Sequence, residues 1–263
     1  MRNDRLMKAV LIITVFVILL PAAVILIWTV TARWPWPDLL PESLTLRTLD
    51  ELLFGSNALA EILLSSMLLA AAVAVLGTLI ALMTARATEI YNVRGKKAVT
   101  FAAFLPLLVP GTVFSMGIQT SLIRMHINDT LAGVVLVHLV AALPYCITIM
   151  MDVTAAAGNS LEEQAAVLGA GPFRSFIDAS LPRIMPGILS SASMAYIISY
   201  SQYFTTLLAG GGKIKTLALV LVPYIQSGDR ALASIYSTVF VGSALIVFFL
   251  LEAAIHRIMK TEN

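Results

Sequence analysis

Charge is scarce in this sequence. Asp, Glu, Lys and Arg make up 12% of the 263 residues, about half the share usual in a soluble domain, so an ordinary soluble enzyme is excluded. Cysteine is nearly absent: the single Cys146 excludes both a disulfide framework and a cysteine metal cluster. His126, His138 and His256 are too few and too scattered to hold a metal. An excess of one charge sign is also missing. With 17 Lys+Arg against 15 Asp+Glu the net charge is +2, which lends a nucleic-acid partner little support. No internal repeat or low-complexity tract is present.

Apolar residues, in contrast, are abundant and contiguous. They form 59% of the chain, and the mean hydropathy is +0.91. A membrane-crossing helix needs roughly 20 mostly apolar residues, and six stretches qualify: 9–31, 58–84, 98–123, 131–153, 187–209 and 231–255. The expected fold is an all-α integral membrane protein with six transmembrane helices in one domain, residues 1–263. The first stretch follows Arg2, Arg5 and Lys8 but runs through Trp28 without a small-residue cleavage site, so it reads as a retained anchor and not as a signal peptide.

Six spans place both termini on one side. With the N-terminus inside, the inner segments carry eleven Lys/Arg and the outer segments six, so the positive-inside rule puts both termini in the cytoplasm. In the outer segment 32–57, the run Trp34-Pro35-Trp36-Pro37 resists helix, and its Trp residues suit a membrane interface. In the outer segment 210–230, Gly210-Gly211-Gly212 precedes a short apolar run from Leu217 to Val222, too short to span and expected as a helix at or dipping into the outer face. Pro106, Pro110 and Pro144 are expected to kink spans three and four.

The loop 154–186 is the longest segment expected on the cytoplasmic side, and it reads as two short helices joined by a turn. Ser160 with Glu163 forms a capping box, Leu161, Ala165 and Leu168 share one face, and Gly169-Ala170-Gly171 supplies a C-cap. Pro172 suits the start of a second helix, expected to stop at Leu181-Pro182, with Pro186 setting the entry to span five. Such a loop is either a simple connector or a docking element for a soluble partner. The capping box alone does not decide.

The order Glu163-Gln164-Ala165, then Gly169, then Leu181-Pro182 closely resembles the EAA motif of permease subunits of binding-protein-dependent ABC importers, in which Glu-Ala-Ala, Gly and Leu-Pro follow at this spacing. Gln164 replaces the first alanine, and Ala179 stands where isoleucine is usual. The resemblance implies a type I importer permease with a coupling helix that inserts into a separate ATPase, and the ending Leu207-Leu208-Ala209-Gly210-Gly211-Gly212 after span five looks like the permease group handling polyamines, thiamine, phosphonates, ferric iron and sulfate-like anions. Ser160, Glu163, Ala165, Gly169, Leu181 and Pro182 are then the ATPase-coupling positions. The chain lacks a Gly-x-x-x-x-Gly-Lys-Ser/Thr phosphate loop, so no cofactor is expected in it and no catalytic residue; ATP and Mg would be bound by the partner ATPase.

Candidates for the translocation path are the polar residues of the spans: Gln119, His138, Tyr196, Ser199, Gln202, Tyr203 and Thr206. Tyr196, Ser199, Tyr203 and Thr206 fall on one face of a continuous helix, with Gln202 beside them. Hydrogen bonding between helices is the competing role, and for His138 a bond to a neighbouring helix competes with a functional one. Asp152 is placed to pair with Arg174 or Arg183. The partners implied are two ATP-binding subunits, a second permease subunit, an extracytoplasmic solute-binding protein and the lipid bilayer, in a bacterial plasma (inner) membrane. A membrane-embedded enzyme would need a nucleophile and base inside the spans, where only scattered Ser, His138 and Glu61 stand. A secondary transporter would be expected to show intramembrane charge or inverted repeats.

Overall fold

The computed structural model describes residues 2–34, 38, 40–46, 57–91 and 93–261. In chain order these form α1 (Arg2–Thr29), β1 (Thr31–Arg33), β2 (Ser43–Leu44), α2 (Asn57–Ala85) with a π-helical turn Arg86–Ile90, α3 (Lys96–Leu108), α4 (Gly111–Arg124) and α5 (Leu131–Ala157). Then follow α6 (Ser160–Val167), α7 (Pro172–Ser175) with a π-helical turn Phe176–Ser180, α8 (Leu181–Tyr200), α9 (Phe204–Gly210), α10 (Leu217–Ser227) and α11 (Arg230–Thr261). The chain divides into two compact units.

The first unit comprises Met1–Ile62 and Val220–Ser243. After α1 the chain folds back as a small antiparallel ladder, with Thr31 opposite Leu44 and Arg33 opposite Ser43. No strand was expected in this segment; short β pairs carry little signal beside prolines. Trp28 stacks on Trp34 at 5.1 Å, and the Arg230 guanidinium lies over the Trp28 ring at 5.2 Å. Residues 35–37, most of the Trp-Pro run expected to resist helix, lie outside the described residues.

The second unit comprises Leu63–Leu219 and Ala244–Asn263, with α5 packed against α8, α9 and α3. Thr130 caps α5, its hydroxyl accepting from the Gly133 amide at 3.1 Å. Leu69, Leu122, Val134, Val137 and Ala209 form a buried apolar cluster. Close approach of α5 and α8 depends on Gly187, where an added Cβ would come within 2.7 Å of both Val153 methyl groups. Small residues serve this purpose between membrane helices, where lipid offers no hydrophobic drive to association.

Among the described residues four helices are long and apolar enough to cross a membrane, their apolar parts being Val10–Thr29, Leu59–Ile90, Leu131–Ala157 and Arg230–Ala254. The pair α3 and α4 makes a fifth if the two are one crossing. The fold is that of an α-helical, multi-pass membrane protein.

Several sequence expectations need correction. The stretch 98–123 is no single straight helix: α3 and α4 meet at 110°, because Val109 takes the extended backbone (φ −101, ψ 133) favoured before a proline. The stretch 187–209 is also broken. Its helix α8 starts earlier, at Leu181, and ends at Tyr200, and the Thr206 hydroxyl donates to the Gln202 carbonyl at 2.8 Å as α9 begins, a local side-chain bond that competes with a continuous helix. Tyr196, Ser199, Tyr203 and Thr206 therefore do not share one unbroken helical face. The second loop helix does not stop at Leu181-Pro182 but continues through a π-helical turn into α8, and the widened turn accommodates a proline that an α-helix interior would resist.

Candidate functional site

The loop between α5 and α8 is shaped by glycines and caps. Gly158 ends α5 at φ 65, and α6 starts one residue before the expected capping box. Asn159 takes the N-cap and Ser160 is the first helical residue, so the Ser160–Glu163 box is replaced by a bond from Asn159 Nδ2 to Glu163 Oε1 at 3.2 Å. Gly169 stands between α6 and α7 at φ 90 with open space around its Cβ position. A backbone of that sign is one that side chains other than glycine's rarely adopt. The turn puts apolar side chains into solvent: Val167 is 87% exposed, Leu168 88% and Phe173 76%. Ser160, Glu163, Gly169 and Pro182 are exposed, and Ala165 and Leu181 half-buried. Gln164 and Ala165 on one side, with Ala179 and Pro182 on the other, line an open groove. Both departures from the motif, Gln164 and Ala179, face this groove.

Behind this surface lies an ion pair that the sequence did not disclose. Arg86, at the C-terminal end of α2, holds the Glu162 carboxylate in a fork, Nη1 to Oε1 at 2.8 Å and Nη2 to Oε2 at 2.9 Å. Ser180 also donates to Glu162 Oε1, and the guanidinium lies 4.4 Å above the Phe176 ring. The Arg86 hydrogen bonds hold the Glu162 carboxyl below its ordinary range, with Ser180 acting the same way and partial burial opposing them. Glu162 thus faces inward while its neighbour Glu163 faces solvent. The acidic residue and its partner lie 76 positions apart, so neighbouring sequence carries no trace of the pairing; only the lone basic residue at the end of a long apolar helix marks it. The expected pairing of Asp152 with Arg174 or Arg183 is absent: Arg174 bonds Asp178 at 3.2 Å instead, the i,i+4 neighbour on its own helical segment.

The polar residues of the spans form two groups. His138 is fully buried and bonds Ser199 Oγ through Nδ1 at 2.8 Å and Thr206 Oγ1 through Nε2 at 2.9 Å. Since the Thr206 hydroxyl proton goes to the Gln202 carbonyl, Thr206 accepts from Nε2–H and the neutral ring accepts from Ser199 at Nδ1. His138 thereby pins α5 to both halves of the broken helix. Gln119 Nε2 donates to the Leu208 carbonyl at 3.0 Å. Tyr196 is buried and stacks on Tyr200 at 5.6 Å; Tyr203 is half-buried at the break.

The second group borders a cavity of about 520 Å³ whose lining includes Thr112, Ser115, Tyr145, Gln202 and Thr205, with no carboxylate or cationic side chain. Ser115 donates to the Gly111 carbonyl at 2.7 Å and lies 3.0 Å from Thr205 Oγ1, itself 3.2 Å from Gln202 Oε1. One Thr205 proton serves Ser115 or Gln202 but not both fully, which leaves Gln202 hydrogen-bonding capacity toward the cavity. Of the candidates Gln119, His138, Tyr196, Ser199, Gln202, Tyr203 and Thr206, only Gln202 lines this cavity. Ser115 and Thr205 were not anticipated; single hydroxyls in apolar helices give little signal.

No family model matches the chain. Among curated proteins it is 30% identical over 173 residues to a protein named as ABC transporter permease ORF1 of Streptomyces antibioticus, covering 65% of this chain and 76% of that one. It is 25% identical over 241 residues to PhnV of Salmonella typhi, named as a 2-aminoethylphosphonate transport system permease, covering 91% of this chain and 90% of the relative. To the molybdate/tungstate transport system permease WtpB of Pyrococcus abyssi it is 28% identical over 192 residues, 73% of this chain and 77% of the relative. The chain belongs to the ABC transporter permeases.

Proposed function

We propose that this chain is a membrane-embedded permease subunit of an ATP-driven importer and forms half of a translocation path for a small polar solute. In this reading α3 with α4, and α8 with α9, each make one crossing, giving six spans with both termini in the cytoplasm. A solute-binding protein delivers the solute from outside, and a second permease completes the path. Two separate ATPase subunits bind ATP and Mg, and this chain contributes no catalysis. The observation that carries the reading is the surface of α6, Gly169 and α7: three large apolar side chains held in solvent on a turned pair of short helices. Exposed apolar surface of this kind marks a contact with another protein. Ser160, Glu163, Ala165, Gly169, Leu181 and Pro182 are its coupling positions.

For the solute, the cavity offers hydroxyls and an amide and no carboxylate. That chemistry suits a neutral or anionic solute better than a polyamine, in keeping with the phosphonate and molybdate/tungstate named for relatives. The docking surface is tested by co-purifying the ATPase with the detergent-solubilised chain and measuring uptake in the same cells. Gly169→Val strains the turn by about 1–2 kcal/mol, a local cost that leaves insertion intact, and is expected to bind ATPase poorly and lose uptake; Glu163→Lys is expected to do the same. Wild-type uptake in both variants would refute the docking role.

A further inference from the structure

The helix that carries the coupling positions Ser160, Glu163 and Ala165 is bounded on both sides by glycine breaks in its backbone. It has eight residues, Ser160–Val167, and positive-φ glycines flank it on both sides, Gly158 at φ 65 and Gly169 at φ 90. A push on such a segment dissipates at its ends unless a side chain carries it further. Glu162 supplies that connection. Its carboxylate takes both arms of the Arg86 fork and the Ser180 hydroxyl, so one group joins α6, the end of α2 and the π-helical turn that leads into α8.

The geometry separates this pair from an ordinary surface contact. The Arg86 and Glu162 side chains are 16% and 13% exposed, whereas Arg174 and Asp178 are 80% and 62% exposed, and exposed pairs of the latter kind hold little. A bidentate fork fixes orientation as well as distance. The Phe176 ring 4.4 Å from the guanidinium closes one face of it and adds a cation–π contact. Among the described residues no other ion pair joins α6 to another element.

We propose that the Arg86–Glu162 pair, seated on Phe176 and Ser180, is a positioning strut that transmits movement of the ATPase-docking loop to α2 and α8. The proposal rests on the reading of that loop given above. Neither residue needs to touch the ATPase or the solute; each acts by keeping α6 and the end of α2 moving as one body. A coupling element of this type changes how much transport each ATP yields, not whether the parts assemble.

The test uses the complete transporter, with permease, ATPase and binding protein reconstituted in liposomes, and reads uptake per ATP hydrolysed per assembled complex. Arg86→Gln and Glu162→Gln are each expected to lower that ratio by about tenfold, the scale of an intersite coupling. Arg86→Lys keeps the charge without the fork and is expected to fall between them and wild type. The exchange Arg86→Glu with Glu162→Arg is expected to recover part of the ratio, which loss of folding would not allow. An unchanged ratio in both Gln variants, with any lost uptake explained by fewer complexes, overturns the strut, as does an exchange that assembles fully yet recovers nothing. If the wild-type chain binds no ATPase at all, the docking reading fails instead, and the two failures are distinguishable.

Discussion

His138 gathers polar atoms that lie far apart in the sequence: Ser199 is 61 positions away and Thr206 is 68. A single histidine in an apolar run has two meanings, a group on the path or a joint between helices, and its full burial with both ring nitrogens bonded favours the joint. His138→Leu keeps an apolar body in place but strands the Ser199 hydroxyl without its acceptor. In membrane helices such bonds are individually modest, about 0.6 kcal/mol on average and up to roughly 1.7 kcal/mol, so the two together are expected to cost on the order of 1–2 kcal/mol. Thermal unfolding of the solubilised chain should show that loss while the uptake KM stays unchanged. A large KM change with unaltered stability would return His138 to the path. Gln202 is the counter-example: it lines the cavity and its amide is only weakly engaged.

Single elements differ in how far the sequence discloses them. Long apolar runs announce α1, α2, α5 and α11, because twenty such residues have few alternatives to a membrane helix. Breaks are harder to foresee. Pro110 was visible as a kink, and the extended Val109 before it breaks the helix, but no hydropathy pattern carries the 110° angle between the two halves. The break after Tyr200 is less visible still, since it depends on the Ser201 and Thr206 hydroxyls donating to the backbone carbonyls of Ile198 and Gln202. In the loop, Gly169 and Pro172 were legible from their own backbone preferences, whereas the Arg86–Glu162 pair needed the third dimension. The joint between α5 and α8 follows the same logic. Gly187 looks unremarkable in sequence, yet an added Cβ would stand 2.7 Å from Val153. Gly187→Ala is expected to force the helices apart at a cost of about 1–3 kcal/mol, seen as a lower melting temperature in detergent, and Val153→Ala in the same chain should restore most of it. If the second substitution adds to the damage, the close approach is not what Gly187 provides.

For the whole molecule the quantity that decides the reading is the number of crossings. Charge asymmetry gives eleven Lys/Arg to one side and six to the other when the chain crosses six times, yet length and apolarity alone single out four helices, or five with the bent pair. The difference lies in α8 with α9, whose serines and tyrosines dilute the apolar signal that marks a lipid-facing helix. A helix shielded by protein has less need of that signal, and Tyr196, Ser199, Tyr200, Thr205 and Thr206 are all buried, which fits a span enclosed by its neighbours. The counts make different predictions for reporters fused at chosen points. Six crossings with the N-terminus inside place reporters within 88–97, beside Gly169 and after Asn263 in the cytoplasm, and one within 38–48 outside. Five crossings, with α8 and α9 failing to cross, would move the reporter after Asn263 to the outside. Four crossings, with the bent pair failing as well, would instead move the one beside Gly169 to the outside and take the docking loop away from any cytoplasmic ATPase. The reporter beside Gly169 is therefore the decisive one: activity characteristic of the cytoplasm is expected there, and an external signal would end the importer reading of this loop whatever the other positions show.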